Sequence, residues 1–147
     1  MQLALQPPRA FSASAVTRRR RKQLAGKVVR ITGSSRGFGL ALAREFASLK
    51  CRLALCERDR DELERARRKL ALAGREVFTV VCDFSDRNAI KDMVGLVTRH
   101  YGRIDILVNN VGEIMVSSFE NLDVGDFERA MAVMFWGTPI RRSRCCD

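Results

Sequence analysis

Lys27-Val28-Val29-Arg30-Ile31-Thr32-Gly33-Ser34-Ser35-Arg36-Gly37-Phe38-Gly39 decides the fold. The first six residues are a short β-branched run that stops at glycine, which reads as a strand. The rest packs three glycines into seven residues. It leads into residues 38–49, where Leu42, Ala43, Phe46 and Leu49 recur at helical spacing. A strand, a glycine turn and a helix in that order leave backbone N–H groups free at a helix N-terminus. Glycine supplies the positive φ and the bare backbone that a phosphate can approach. A generic tight turn is the plainer alternative.

The same alternation continues downstream. Residues 52–56 form a second apolar run. Residues 60–73 place Leu63, Ala66, Leu70 and Ala73 on one face, with Asp61→Arg65 and Glu64→Arg68 as i,i+4 pairs on the other. Gly74 is a natural helix stop. A third strand is expected over residues 77–81. Residues 87–101 align Ile90, Met93, Val94, Val97 and Tyr101 on one stripe, and Gly102 ends it. A fourth strand is expected over 104–108. A last helix, starting near Asp123, carries Phe127, Ala130, Met131, Met134 and Phe135. Strands alternating with helices predict an α/β fold with a parallel sheet and right-handed crossovers. The strands are almost continuously apolar, as expected when both faces are covered. Arg30 departs from that pattern, because a charge inside a central strand is costly to bury.

Net charge is +10, from 27 Lys+Arg and 17 Asp+Glu in 147 residues. Ten of the cations precede the first carboxylate, Glu45, and the remaining chain balances 17 against 17. A neutral body with a basic front argues against a nucleic-acid-binding surface. Residues 1–25, with Pro7-Pro8, Ser12-Ala13-Ser14-Ala15 and the run Arg18-Arg19-Arg20-Arg21-Lys22, read as a disordered basic leader. Organelle import is the alternative reading of that composition, and a nucleic-acid or anionic-membrane tether a remoter one. No apolar run approaches the roughly 20 residues of a spanning helix. The five cysteines, Cys51, Cys56, Cys82, Cys145 and Cys146, include no CxxC pair. That predicts a reducing, cytoplasmic setting with no disulfide framework and no metal site.

Three motifs then carry a family resemblance. TGxxxGxG stands at Thr32, Gly33, Gly37 and Gly39; NNxG at Asn109, Asn110, Val111 and Gly112; and an Asp past the third strand at Asp83, within Cys82-Asp83-Phe84. In this order and at these separations, residues 26–138 resemble the N-terminal part of the short-chain dehydrogenase/reductase family. The resemblance implies a Rossmann-type doubly wound parallel sheet, here its N-terminal half of about four strands ordered 3-2-1-4. It also implies an NAD(P) cofactor and hydride transfer between nicotinamide and a carbonyl or alcohol. Gly33, Ser35, Gly37, Phe38 and Gly39 would hold the pyrophosphate and adenosine ribose. Asp83, with the Phe84 N–H beside it, would read the adenine. Asn110, Val111 and Gly112 would line the ribose and adenine side, while Asn109 ties the central strands.

The choice of dinucleotide is contested. Glu57 closes the second strand, where a carboxylate accepts from a free ribose 2′-OH and repels a 2′-phosphate. Arg36 and Arg58 stand where relatives that use NADP(H) place cations. Two cations against one carboxylate lean slightly to NADP(H). The family's catalytic acid is a tyrosine in a YxxxK motif, accompanied by a serine. The single tyrosine here, Tyr101, precedes Gly102-Arg103-Ile104-Asp105 and lies before the NNxG motif. No catalytic residue is therefore assigned. Met134 stands where the family has an asparagine, and its place on the apolar stripe makes it a core filler. Residues 139–147 depart from the family and suggest a truncated or frameshifted frame, with a lipidated Cys145-Cys146 as the alternative. The expected product is an oxidoreductase fragment inactive alone, homo-oligomeric in its intact form. The alternative is a non-catalytic dinucleotide-binding module or pseudoenzyme.

Overall fold

The computed structural model describes residues 23–72, 74–112, 119–121 and 123–136. Most of the leader, the tail 139–147 with Cys145 and Cys146, and Ala73 lie outside the described residues. Strands β1 (Val28–Thr32), β2 (Arg52–Glu57), β3 (Val77–Val81) and β4 (Ile106–Val108) form one sheet in the order β3-β2-β1-β4. Every pairing is parallel. The helices between them are α1 (Gly37–Ser48), α2 (Arg60–Ala71) and α3 (Arg87–Tyr101). This is the expected half of a doubly wound sheet.

Successive strand residues point to opposite faces, and both faces are covered. Val29, Ile31, Leu53 and Leu55 pack with Leu40, Ala43 and Ala47 of α1 and Leu63, Ala66 and Leu70 of α2. Val28, Ala54, Cys56 and Val80 pack with Ile90, Met93, Val94, Val97 and Tyr101 of α3. That is why the strands read as unbroken apolar runs. Arg30 falls on the α3 face, fully buried, with its Nη1 3.7 Å from the Met93 sulfur.

Local chemistry sets the helix ends. Asp59 caps α2 by accepting from the Glu62 N–H, and Asp86 caps α3 by accepting from the Asn88 N–H. Gly102 closes α3 in the left-handed region at φ +77°. Of the two expected pairs on α2, Glu64–Arg68 forms at 3.1 Å, and Arg67 joins it.

Two expectations need correction. The fourth strand covers only Ile106–Val108. Asp105 turns its carboxylate onto the sheet, where it accepts from the Val28 N–H at 2.8 Å, from Lys27 at 3.1 Å and from Arg103 Nε at 2.9 Å. The Asp105 N–H still donates to the Val28 carbonyl at 2.9 Å, while its carboxylate takes the Val28 N–H. The last helix, α4 (Val124–Met131), starts as expected at Asp123, which forms a capping box with Asp126. It then passes into a π-helical turn, Ala132–Trp136. Its apolar stripe is not core: Phe127, Met131 and Met134 are 53%, 46% and 52% exposed. An apolar face is buried only where another layer meets it, and among the described residues none does. Val133 is the residue that reaches the α3-side core.

Candidate functional site

The C-terminal ends of β1, β2 and β4 meet the glycine turn at a cleft. Strand order reverses here, between β1 and β4, which is where open α/β sheets bind ligands. Gly33 has φ +63°, and a side chain there would meet Asn110 and Val111 at 3.1 Å. Gly39 needs space rather than a special φ. A Cβ on it would lie 2.1 Å from the Gly33 carbonyl oxygen. The first turn of α1 is thus seated directly on the end of β1. Gly37, at φ +53°, supplies the reversal between them and has open space around its Cα.

Side chains lock this turn in place. The Ser34 hydroxyl accepts from the Cys56 N–H at 3.1 Å, and the Gly33 N–H donates to the Cys56 carbonyl at 2.9 Å. The Thr32 hydroxyl accepts from the N–H groups of Asn110 (3.0 Å) and Val111 (3.2 Å). Asn110 Nδ2 donates to the carbonyls of Thr32 at 3.2 Å and Gly33 at 2.8 Å. Asn110 therefore ties the end of β4 to the end of β1.

Nine of the residues singled out in the sequence line the cleft: Gly33, Arg36, Glu57, Arg58, Asp83, Phe84, Asn110, Val111 and Gly112. Val133, from the turn after α4, joins them and was not foreseen. Its signal was present, since it adjoins the apolar stripe. Ser35, Gly37, Phe38 and Gly39 are not brought to the cleft wall. Gly37 and Gly39 shape the turn, and Phe38 points outward at 70% exposure. Ser35 is buried, with its hydroxyl 3.0 Å from Glu62 Oε2 and 3.3 Å from Glu57 Oε2. Glu57 Oε1 accepts from the Arg58 N–H at 2.9 Å. Asp83 accepts from both the N–H and the hydroxyl of Ser85, at 2.9 and 2.7 Å. Those bonds, helped by the nearby Arg58 charge, hold its carboxyl below the usual range.

The electrostatics at α1 fit an anion. The caps of α2, α3 and α4 are aspartates, Asp59, Asp86 and Asp123. The N-cap of α1 is Arg36, which makes no side-chain cap bond, and its first turn holds no acidic residue. Its free N–H groups and positive dipole end are left for something else to satisfy. A bound phosphate is the group that such a terminus takes, and the bare glycine backbone lets it approach. The residues present fit a dinucleotide.

Tyr101 is at the wrong end of the sheet for chemistry here. Its hydroxyl donates to the Leu53 carbonyl at 2.9 Å, near the start of β2, and burial pushes its pKa up to about 12. The Cys56 thiol lies in the core and is likewise pushed up to about 12 by burial. Among the described residues, no group of His, Cys, Asp and Glu could hold a metal ion, and no helix is long and apolar enough to cross a membrane.

Comparison with known proteins places this geometry. Residues 27–140 match the short chain dehydrogenase family. The chain is 40% identical over 121 residues to 11-beta-hydroxysteroid dehydrogenase 1A of Arabidopsis thaliana, covering 80% of this chain and 34% of that protein. The crystal structure of L-sorbose reductase from Gluconobacter frateurii, complexed with NADPH and L-sorbose, superposes with a TM-score of 0.78 at 30% identity. That match covers 82% of this chain and 46% of the reductase. A short chain dehydrogenase/reductase from Burkholderia phymatum in complex with NAD gives a TM-score of 0.78 at 29% identity, over 82% of this chain and 43% of that one. The chain thus spans about a third to a half of the length of the curated relatives it matches. With the glycine turn, the strand order and the family match in agreement, the chain belongs to the short-chain dehydrogenase family.

Proposed function

We propose that this chain is the dinucleotide-binding half of an NAD(P)(H)-dependent oxidoreductase acting on a small carbonyl or alcohol. The observation that carries the reading is the uncapped N-terminus of α1, seated on Gly33 and opening on the cleft. The free N–H groups of the first turn of α1 bind the pyrophosphate, and the Gly33, Gly37 and Gly39 geometry lets it close in. Glu57 accepts from the adenosine ribose, while Arg36 and Arg58 attract a 2′-phosphate, giving the lean to NADP(H). Asp83 and the Phe84 N–H read the adenine, and Asn110, Val111 and Gly112 form the opposite wall. When bound, the nicotinamide supplies or accepts the hydride exchanged with substrate. Titration of the purified chain with NADPH and NADH tests this, and saturable binding of at least one is expected. Binding of neither would overturn it.

A non-catalytic binding role for this chain on its own is favoured by Tyr101. The sequence holds one tyrosine, and it is committed to the Leu53 carbonyl. No side chain of the cleft offers a tyrosine hydroxyl as proton donor. The 147-residue chain is therefore expected not to consume NADPH in the presence of carbonyl compounds, and turnover would contradict that. We assign the nucleotide-binding domain to residues 26–138, flanked by the leader 1–25 and the tail 139–147. Cys51, Cys56 and Cys82 are buried free thiols, which suits a cytoplasmic setting. The intact form is read as a homo-oligomer.

A further inference from the structure

Glu62 belongs neither to the glycine turn nor to the cleft wall, yet it holds residues of the turn. It is the third residue of α2, three past the cap Asp59. Asp-x-x-Glu is the spacing of a capping box, in which the second carboxylate reaches back to the cap's own N–H. Asp123 and Asp126 make such a box in α4. In α2 only half of one forms: Asp59 accepts from the Glu62 N–H at 2.9 Å. The Glu62 carboxylate goes instead to the glycine turn. Its Oε1 accepts from Arg36 Nη1 at 3.1 Å, and its Oε2 accepts from the Ser35 hydroxyl at 3.0 Å.

Both contacts bear on the nucleotide ribose. Arg36 lines the cleft and is one of the two cations facing it. While Glu62 holds it, its charge is balanced and one face of its fork is occupied. The Ser35 hydroxyl has a single proton and two carboxylates within reach, Glu62 and Glu57. A proton given to Glu62 leaves Glu57 Oε2, the oxygen not bonded to the Arg58 N–H, open to a ribose 2′-OH. Glu62 therefore withholds a donor from a 2′-phosphate and spares an acceptor for a 2′-OH.

We propose that Glu62 is the positioning residue that sets the balance between NAD(H) and NADP(H), by holding Arg36 and Ser35 away from a 2′-phosphate. The proposal rests on the dinucleotide reading given above. An exposed Arg–Glu pair is weak, so its release is a modest and measurable change.

The test is the ratio of NADPH to NADH dissociation constants for the full 147-residue chain and its Glu62→Gln variant. Glu62→Gln should tighten NADPH roughly three- to tenfold, with NADH changed less than about twofold. Glu62→Lys should move the ratio further in the same direction. In an Arg36→Gln background, Glu62→Gln should move the ratio by less than about twofold, because the charged contact is gone and only the neutral Ser35 contact remains. A purely structural role for Glu62 would shift both nucleotides together. An unchanged ratio, or a full-sized change without Arg36, overturns the proposal while leaving the dinucleotide site standing. Failure of every variant to bind either nucleotide overturns that site and the proposal with it.

Discussion

Gly37 and Gly39 separate two reasons for glycine, and substituting alanine at each tests whether the turn is understood. At Gly37 the requirement is conformational. Its φ is +53°, and an added Cβ meets nothing within 4 Å. Alanine there costs roughly 1–2 kcal/mol of left-handed strain. Asparagine, which tolerates that region, should recover part of it. At Gly39 the requirement is space. The Cβ would stand 2.1 Å from the Gly33 oxygen, 2.6 Å from Asn110 Nδ2 and 2.9 Å from the Gly33 carbonyl carbon. Two of these are backbone atoms, so no rotamer relieves the clash. The start of α1 must lift off β1 by about 1 Å, an overpacking cost of about 1–3 kcal/mol or more. That motion also displaces the N–H groups proposed to bind phosphate. Gly39→Ala should therefore lower the urea midpoint and weaken NADPH by at least about tenfold, a displacement effect of the kind expected for misplaced groups. Gly39→Asn should do no better. Equilibrium unfolding and NADPH fluorescence titration read the two effects separately. Wild-type stability together with NADPH affinity within twofold in Gly39→Ala would refute the reasoning.

Other substitutions probe the frame around the site. The Tyr101→Phe variant loses one buried hydrogen bond and should cost about 0.5–1.5 kcal/mol. Its NADPH affinity should be unchanged, and a tenfold loss would place Tyr101 at the site. Asp105 is held well below the usual carboxylate range, first by Arg103 and then by the Val28 N–H and Lys27. Its contribution is fully present above the unfolded pKa of about 4 and is lost as pH falls toward the depressed folded value. Between pH 7 and pH 3, Asp105→Asn should lose less stability than the wild type. Equal losses in urea titrations at the two pH values would count against that assignment.

What could be read from the sequence was what is locally determined. The strand–turn–helix at Thr32–Gly39 was legible because positive φ and bare backbone are glycine's own properties. The helix start near Asp123 and the stop at Gly102 are set within three residues of where they stand. Nine cleft residues were legible through motifs whose separations match the sheet topology. Contacts made across the sheet were not. Asn110 binding Gly33 and Glu62 holding Ser35 join residues 77 and 27 positions apart. The apolar stripe of α4 was read correctly as apolar and wrongly as core. Periodicity reports which face of a helix is greasy, and only the neighbouring layer decides whether it is covered. The short fourth strand has a like cause: the Asp105 N–H keeps its bond to the Val28 carbonyl, but the Val28 N–H goes to the Asp105 carboxylate, a contact no apolar pattern reports.

Hydrogen–deuterium exchange of the 147-residue chain, with and without saturating NADPH, tests the nucleotide site most directly. Protection should concentrate on the amides at the start of α1, on residues 57–58 and 83–84, and on residues 110–112, and should be absent from the Tyr101–Leu53 end of the sheet. No nucleotide-dependent protection at the start of α1, or protection centred at the opposite end of the strands, would contradict it.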